Sequence, residues 1–365
     1  MLENIPADEA RQIQHIVDLT IRQLQMRYPG DKPVLRGVHA KSHGCVHAMF
    51  EVLPDVAEKF RHGVFSVPGG KFAALVRFSN AATLVTPDSK TGPNGVEHGS
   101  RGMAIKLLGV EGQSLGHVNG GLTQDFLMIN QPAFAFANVE DYEVLSRVLV
   151  DHKDDPRPFF AERLPTAGGP PPTPSQLRAL ETAGLIARIR SASVSATPPA
   201  FQAPPASPVD NDYFSAAPFM LGPDQVMRFR VRPGNTHMAE PDVSDPNYLR
   251  TALVRRLKDE CLGDVVFDFD VQIRPASEIE PDRDIENASH QWPESIPFTP
   301  VARLTIPLQE FDTVEFNEKC EKLVFTPWHG LEAHKPLGGI NRLRRAVYEA
   351  SAMFRNLPKE PSAGT

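Results

Sequence analysis

A chain of 365 residues with 41% hydrophobic and 23% charged side chains has the balance of a soluble globular protein, long enough for one large domain or two ordinary ones. Its 38 basic and 45 acidic residues leave a formal net charge of −7, and no basic run is interleaved with aromatics, which argues against nucleic acid as a partner. Three scattered cysteines, Cys45, Cys261 and Cys320, form no CxxC pair and fit a reducing compartment.

Taken in chain order, residues 1–30 carry early acidic residues and place Ile13, Ile16, Val17, Ile21 and Leu24 at helical spacing. They read as an amphipathic helix, not as a signal peptide. No apolar run approaches the roughly 18 residues of a membrane span, so the expectation is a cytoplasmic protein. Residues 31–365 then read as a single domain. Short runs of β type follow at 45–53, 72–79, 101–109 and 125–130, and a second set at 225–233, 264–275, 300–308 and 320–327. Phe267-Asp268-Phe269-Asp270-Val271 alternates strictly, as an antiparallel strand with one dry face does. Two groups of four strands suggest a closed eight-stranded antiparallel barrel, because closure removes both edges. Between the groups, residues 155–216 are Pro-rich with a helical piece at 176–192 and read as an insertion wrapping the barrel. The last segment, 338–357, opens with two glycines and becomes helical. Val347, Ala350, Met353 and Phe354 form its apolar stripe, and Arg344, Tyr348 and Arg355 share another face.

One stretch stands out for its chemistry. "RGVHAKSHGCVHAMFEV" (36–52) holds His39, His43 and His47 four residues apart, with Cys45 between the last two. On a helix the three histidines could bind zinc, but Gly37, Gly44 and the β-branched residues around them favour a strand. At roughly 3.3 Å per residue, a strand spreads positions 39 to 47 over more than about 20 Å, beyond the reach of one metal ion. With the parity of a strand, residues 39, 43, 45 and 47 would share one face. A nucleophilic Cys45 lacks a nearby base of fixed geometry and reads as a small core residue.

Five segments in order resemble the haem catalase family. Residues 36–52 resemble the R-x-x-H-A-K-G-x-G-x-x-x-x-F-E-V strand of the distal histidine; "VRFSNA" (76–81) resembles V-R-F-S-T; "SRGMAIKLL" (100–108) resembles P-R-G-F-A-x-K-F. "DFLMINQPAF" (125–134) resembles the segment of the distal asparagine, and "RRAVYEASAMFR" (344–355) keeps R-x-x-x-Y with an arginine seven residues on. "DYFSAAPFMLG" (212–222) resembles the family's Y-x-S-x-x-P-x-x-x-G. Residues 327–351 are most similar to the short bacterial catalase-like proteins. The resemblance implies an α+β fold: a catalase-type eight-stranded antiparallel β-barrel with helical insertions and a C-terminal haem-ligand helix.

It also implies haem b as cofactor, with Tyr348 as the proximal iron ligand and Arg344, one turn earlier, reaching its phenolate oxygen. His39 would be the distal acid–base, with Ser79 fixing its tautomer and Asn130 holding the peroxide by a hydrogen bond. Arg36, Arg77 and Arg355 match the propionate-binding arginines, and Phe134 a distal phenylalanine. Val38 matches the valine of catalases, where hydroperoxide-rearranging members have threonine. Departures are Ala135 for a second phenylalanine, loss of an acidic residue near Gly99, and no clean match for a later distal phenylalanine, near Tyr142. These should widen the distal cavity. The expected function is a catalase-related peroxidase that cleaves hydrogen peroxide or an organic hydroperoxide through a ferryl intermediate, with a small reducing substrate and a possible homo-oligomer. The alternatives are an enzyme of allene oxide synthase type that rearranges or dehydrates a lipid hydroperoxide, and a non-catalytic haem-binding protein.

Overall fold

The computed structural model describes residues 2–30, 34–92, 95–115, 123–166, 168–190, 204–235 and 240–355. The elements run α1 (Glu9–Arg27), β1 (Ser42–Val52), β2 (Lys71–Asn80), β3 (Ser89–Gly92), β4 (Gly95–His98), β5 (Arg101–Leu108) and β6 (Thr123–Ile129). Then come α2 (Val139–Asp151), α3 (Arg157–Arg163), α4 (Pro174–Arg190), β7 (Tyr213–Phe214), β8 (Phe219–Leu221) and β9 (Gln225–Pro233). The chain finishes with α5 (Tyr248–Arg256), β10 (Val265–Pro275), β11 (Thr299–Ile306), α6 (Val314–Lys322) and α7 (Gly339–Phe354).

The strands close into an antiparallel barrel in the order β1, β2, β5, β6, β7, β9, β10, β11 and back to β1. β8 continues the line of β7 along the same edge of β9. β3 and β4 form a separate hairpin. Alternation dictates what each strand buries. Val46, Ala48, Phe50 and Val52 of β1 face the lumen, together with Ala74, Val76 and Phe78 of β2 and Met103, Ile105 and Leu107 of β5. A layer of aromatics fills the centre: the Phe126 ring lies 4.9 Å from Phe269 and 5.0 Å from Phe229, centroid to centroid.

Two sequence expectations are corrected here. Residues 320–327 are not the eighth strand. Residues 314–322 are helix α6, started by Thr313, whose hydroxyl accepts from the Phe316 N–H at 3.2 Å. The eighth barrel position belongs instead to the interrupted pair β7 and β8, too short and too broken by Ala and Pro to read as a strand. The shared face of residues 39, 43, 45 and 47 also fails. His39 precedes β1 with φ +57°, and a bulge in β1 makes His43 an extra residue between Ser42, opposite Ser79, and Gly44, opposite Phe78. Gly44 is required there, because a Cβ would run into the ring of Phe311. His43 is buried against Asn80, and His47 stands on the outer face, stacked on Phe316 at 4.8 Å.

α1, α2 and α7 pack on one another outside the barrel. Arg342 of α7 ties the group together, pairing with Glu9 at the start of α1 and with Glu286 at 2.8 Å. At the other end of α1, Arg27 pairs with Asp154 and donates to the Gly37 carbonyl at 3.1 Å. The apolar stripe expected on α7 is shorter than its spacing suggests, since Met353 is 64% exposed.

Candidate functional site

Between the outer face of the barrel and these helices lies a cavity of about 390 Å³, within the range usual for ligand pockets. The strands reach it with the residues that alternate with the lumen set: Arg77 and Ser79 on β2, Gly102 and Ala104 on β5, Leu127 and Ile129 on β6. α7 supplies Arg344, Val347, Tyr348, Ser351 and Arg355; α1 supplies Ile16 and Thr20, and α2 supplies Tyr142, Leu145 and Leu149. Of the ten site residues read from the sequence, Arg36, Val38, His39, Arg77, Ser79, Phe134, Arg344, Tyr348 and Arg355 all line this one cavity. Asn130 is the exception, standing between the lining residues Ile129 and Gln131.

His39 is held by its own backbone and by two neighbours. Its left-handed φ of +57° is uncommon outside glycine and turns the ring off the line of β1. Ser79 Oγ meets Nδ1 at 3.0 Å, and Arg77 donates to the His39 carbonyl at 3.0 Å. Gly102 makes room for the ring: a Cβ there would collide with Nδ1 and Cε1. Burial, reinforced by the charges of Arg77, Arg344 and Arg36, pulls the His39 pKa down to about 3. The imidazole is therefore neutral at ordinary pH.

Asn130 has a fixed amide. Its Oδ1 accepts from the Arg101 backbone N–H at 2.7 Å, and the Asn130 backbone N–H donates to the Arg101 carbonyl at 3.0 Å. A buried polar network behind this wall keeps the strand ends in place. Asn80 Oδ1 accepts from Arg101 at 2.8 Å and from His43 at 2.9 Å, while Asn80 Nδ2 donates to Asp88 at 3.0 Å. Lys41 pairs with the same carboxylate at 2.7 Å.

On α7 the Arg344 guanidinium lies over the Tyr348 ring at 5.5 Å and over Phe134 at 5.6 Å, and donates to Asn341 Oδ1 at 3.1 Å. The guanidinium thus meets the Tyr348 ring in a cation–π contact. Tyr142 enters the same cavity from α2, packed against Phe136 at 5.3 Å, and burial pushes its phenol well above the usual range.

At one end of the cavity Arg36, Arg77 and Arg355 converge. Glu321 pairs with Arg36 and, at 3.3 Å, with Arg77, while Arg355 donates to its backbone carbonyl at 3.3 Å. Burial and mutual repulsion lower Arg36 to about 9 and Arg355 to about 10, with Glu321 opposing both. Glu321 is a site residue that sequence reasoning missed, because residues 320–327 read as a strand. Gly102 was missed as well, although it stands in the quoted "SRGMAIKLL" run. Among the described residues no three of His, Cys, Asp and Glu gather as a metal site.

The fold is that of the catalases. The chain is similar to a bacterial catalase structure (TM-score 0.60, 16% identity, 89% of this chain and 58% of that one). It is also similar to catalase A from Saccharomyces cerevisiae (0.62, 14%, 90% and 62%) and to a fungal catalase (0.58, 13%, 89% and 60%). The chain thus spans about three fifths of the length of these proteins. No family model matches the sequence, and no curated protein matches it. Among the described residues no helix is long and apolar enough to cross a membrane.

Proposed function

We propose that this chain is a haem-dependent, catalase-related peroxidase that breaks the O–O bond of hydrogen peroxide or an organic hydroperoxide. The observation that carries this reading is the gathering, in one cavity, of a neutral buried imidazole, a phenol beneath a guanidinium, and three converging arginines.

The residues fit haem on charge and on polarity. Among the described residues Arg36 and Arg77 pair with one carboxylate, Glu321, while Arg355 meets only its backbone carbonyl, which leaves positive charge suited to two propionates. The buried Nε atoms of Arg77 and Arg344 have no hydrogen-bond partner among the described residues. Leu127, Phe134, Leu343 and Val347 supply apolar walls. Tyr348 would hold the iron through its phenolate oxygen, with the stacked Arg344 placing complementary charge over the ring. When bound, haem supplies a redox-active ferric iron at which a peroxide O–O bond can be broken.

The chain's own part is proton handling. His39 is neutral and can accept the proton of one peroxide oxygen and return it to the other, while Ser79 holds Nδ1 and so reserves Nε2 for that exchange. The Asn130 amide, oriented by Arg101, has its NH₂ available to donate to the peroxide. The apolar residues of α1 and α2 around Tyr142 suit an organic hydroperoxide as well as hydrogen peroxide.

The test is His39→Ala, examined for haem binding and for peroxide consumption. Binding should persist while consumption falls; unchanged consumption would refute the role of His39. Oxygen release from hydrogen peroxide, donor oxidation, and loss of lipid hydroperoxide with neither would separate catalase, peroxidase and rearrangement chemistry.

A further inference from the structure

Two of the three cysteines meet beside the arginine cluster. Cys45 lies on the outer face of β1, and Cys320 in the last turn of α6, which packs on β1. Both are buried, and the two thiols are close enough to influence each other. Cys45 stands directly opposite Arg77 in the β1–β2 register, so the two side chains leave the sheet on the same face. Arg36 donates to the Cys320 carbonyl at 3.3 Å, and the next residue is Glu321, partner of both arginines. The remaining cysteine, Cys261, is exposed and lies elsewhere.

Two thiols in contact could simply be small core residues. Their surroundings differ from a core. Contact with Cys45 is the main influence lowering the Cys320 thiol, and the Arg77 and Arg36 guanidinia add to it against burial and Glu321. Arg77 and Arg36 themselves line the cavity, which places the two cysteines at its arginine end.

We propose that Cys45 and Cys320 form a peroxide-oxidised dithiol, a modification site independent of any cofactor. The Cys320 thiolate attacks one peroxide oxygen; the O–O bond breaks, the other oxygen takes up the proton that the Cys320 thiol released and leaves as water or an alcohol, and Cys320 carries a sulfenic acid. The Cys45 sulfur then attacks the Cys320 sulfur, an S–S bond forms, and the hydroxyl leaves as water with the Cys45 proton. Two electrons pass from the two thiols to one peroxide. The product would tether the last turn of α6, and with it Glu321, to the barrel wall at the arginine end of the cavity.

The test uses the full chain carrying Cys261→Ser, without cofactor, exposed to hydrogen peroxide and then alkylated after denaturation. Peptide mapping should give a Cys45–Cys320 linked species lighter by two hydrogens, reversed by a thiol reductant. In a Cys45→Ser chain the same treatment should add oxygen at Cys320. Full alkylation of both thiols after exposure would overturn the proposal, as would over-oxidation of Cys320 with Cys45 still free. If the Cys45→Ser chain fails to fold, the linked peptide decides alone.

Discussion

Phe78 and Arg77 are neighbours in β2, yet they live in different environments. Phe78 points into the barrel lumen, its ring 6.2 Å from Tyr213, whereas Arg77 points outward to Glu321 and the cavity under α7. The same division separates Phe126 from Leu127 on β6 and Ile105 from Ala104 on β5. The lumen is filled with side chains that each contribute about 1.5–3 kcal/mol by burial. The outer wall holds buried guanidinia and a neutral histidine, which burial alone would disfavour. One face of these strands stabilises the chain while the other lines the cavity, and the period of two keeps them apart.

The most forceful way to break this comparison is to truncate adjacent residues on opposite faces. Phe126→Ala should destabilise the fold by about 3–5 kcal/mol, since its ring packs against Phe50, Phe65, Phe229 and Phe269. Leu127→Ala, which only enlarges an existing cavity, should cost markedly less in the same denaturant titration. Equal losses would show that the two faces are not energetically distinct.

Gly102→Ala probes the chemical face alone. The added methyl displaces the His39 ring, so peroxide turnover should fall about 100- to 10,000-fold, the range for losing a general acid–base, while haem is still taken up. Retained turnover would mean that the ring position does not matter. A smaller effect is expected at the charged end. Arg77→Ala removes one charge-assisted partner worth about 1.5–3 kcal/mol, and haem affinity measured by absorbance titration should drop about 10- to 100-fold.

Acid should probe both faces together. His39 is held down to about 3, His43 to about 4 and His334 to about 4, in each case chiefly by burial, against an ordinary value of 6.5. The unfolded chain binds protons that the native chain refuses, so stability declines as pH falls from about 6.5 toward 4. Each group contributes on the order of 1 kcal/mol per pH unit. His334, in the lumen beside Phe65 and Phe126, is a control: His334→Gln should flatten the acid limb of stability without touching the pH profile of turnover.

How much of this was legible in the sequence follows from the same alternation. β1, β2, β5, β6, β9, β10 and β11 are long enough for their period of two to show, and motifs on or beside β1, β2, β6 and α7 hold the nine expected residues that line the cavity. What stayed hidden depends on contacts distant in sequence. The interrupted strand at 213–221 exists only because β9 offers it an edge. The apolar run 323–325 resembles a strand but follows a helix end and lines the cavity with Val324 and Phe325. The bulge that ejects His43 is set by Gly44 against Phe311, which no local pattern announces. Glu321 became visible as a site residue only when α6 brought it to three arginines.

The central claim is that this cavity holds haem through Tyr348. It is tested most directly by titrating the purified chain and its Tyr348→Phe variant with ferric haem and recording absorbance. The account predicts saturable one-to-one binding with a tyrosinate-type spectrum in the parent chain, lost or grossly altered in the variant. An identical spectrum in both, or no saturable binding by the parent chain, would contradict it.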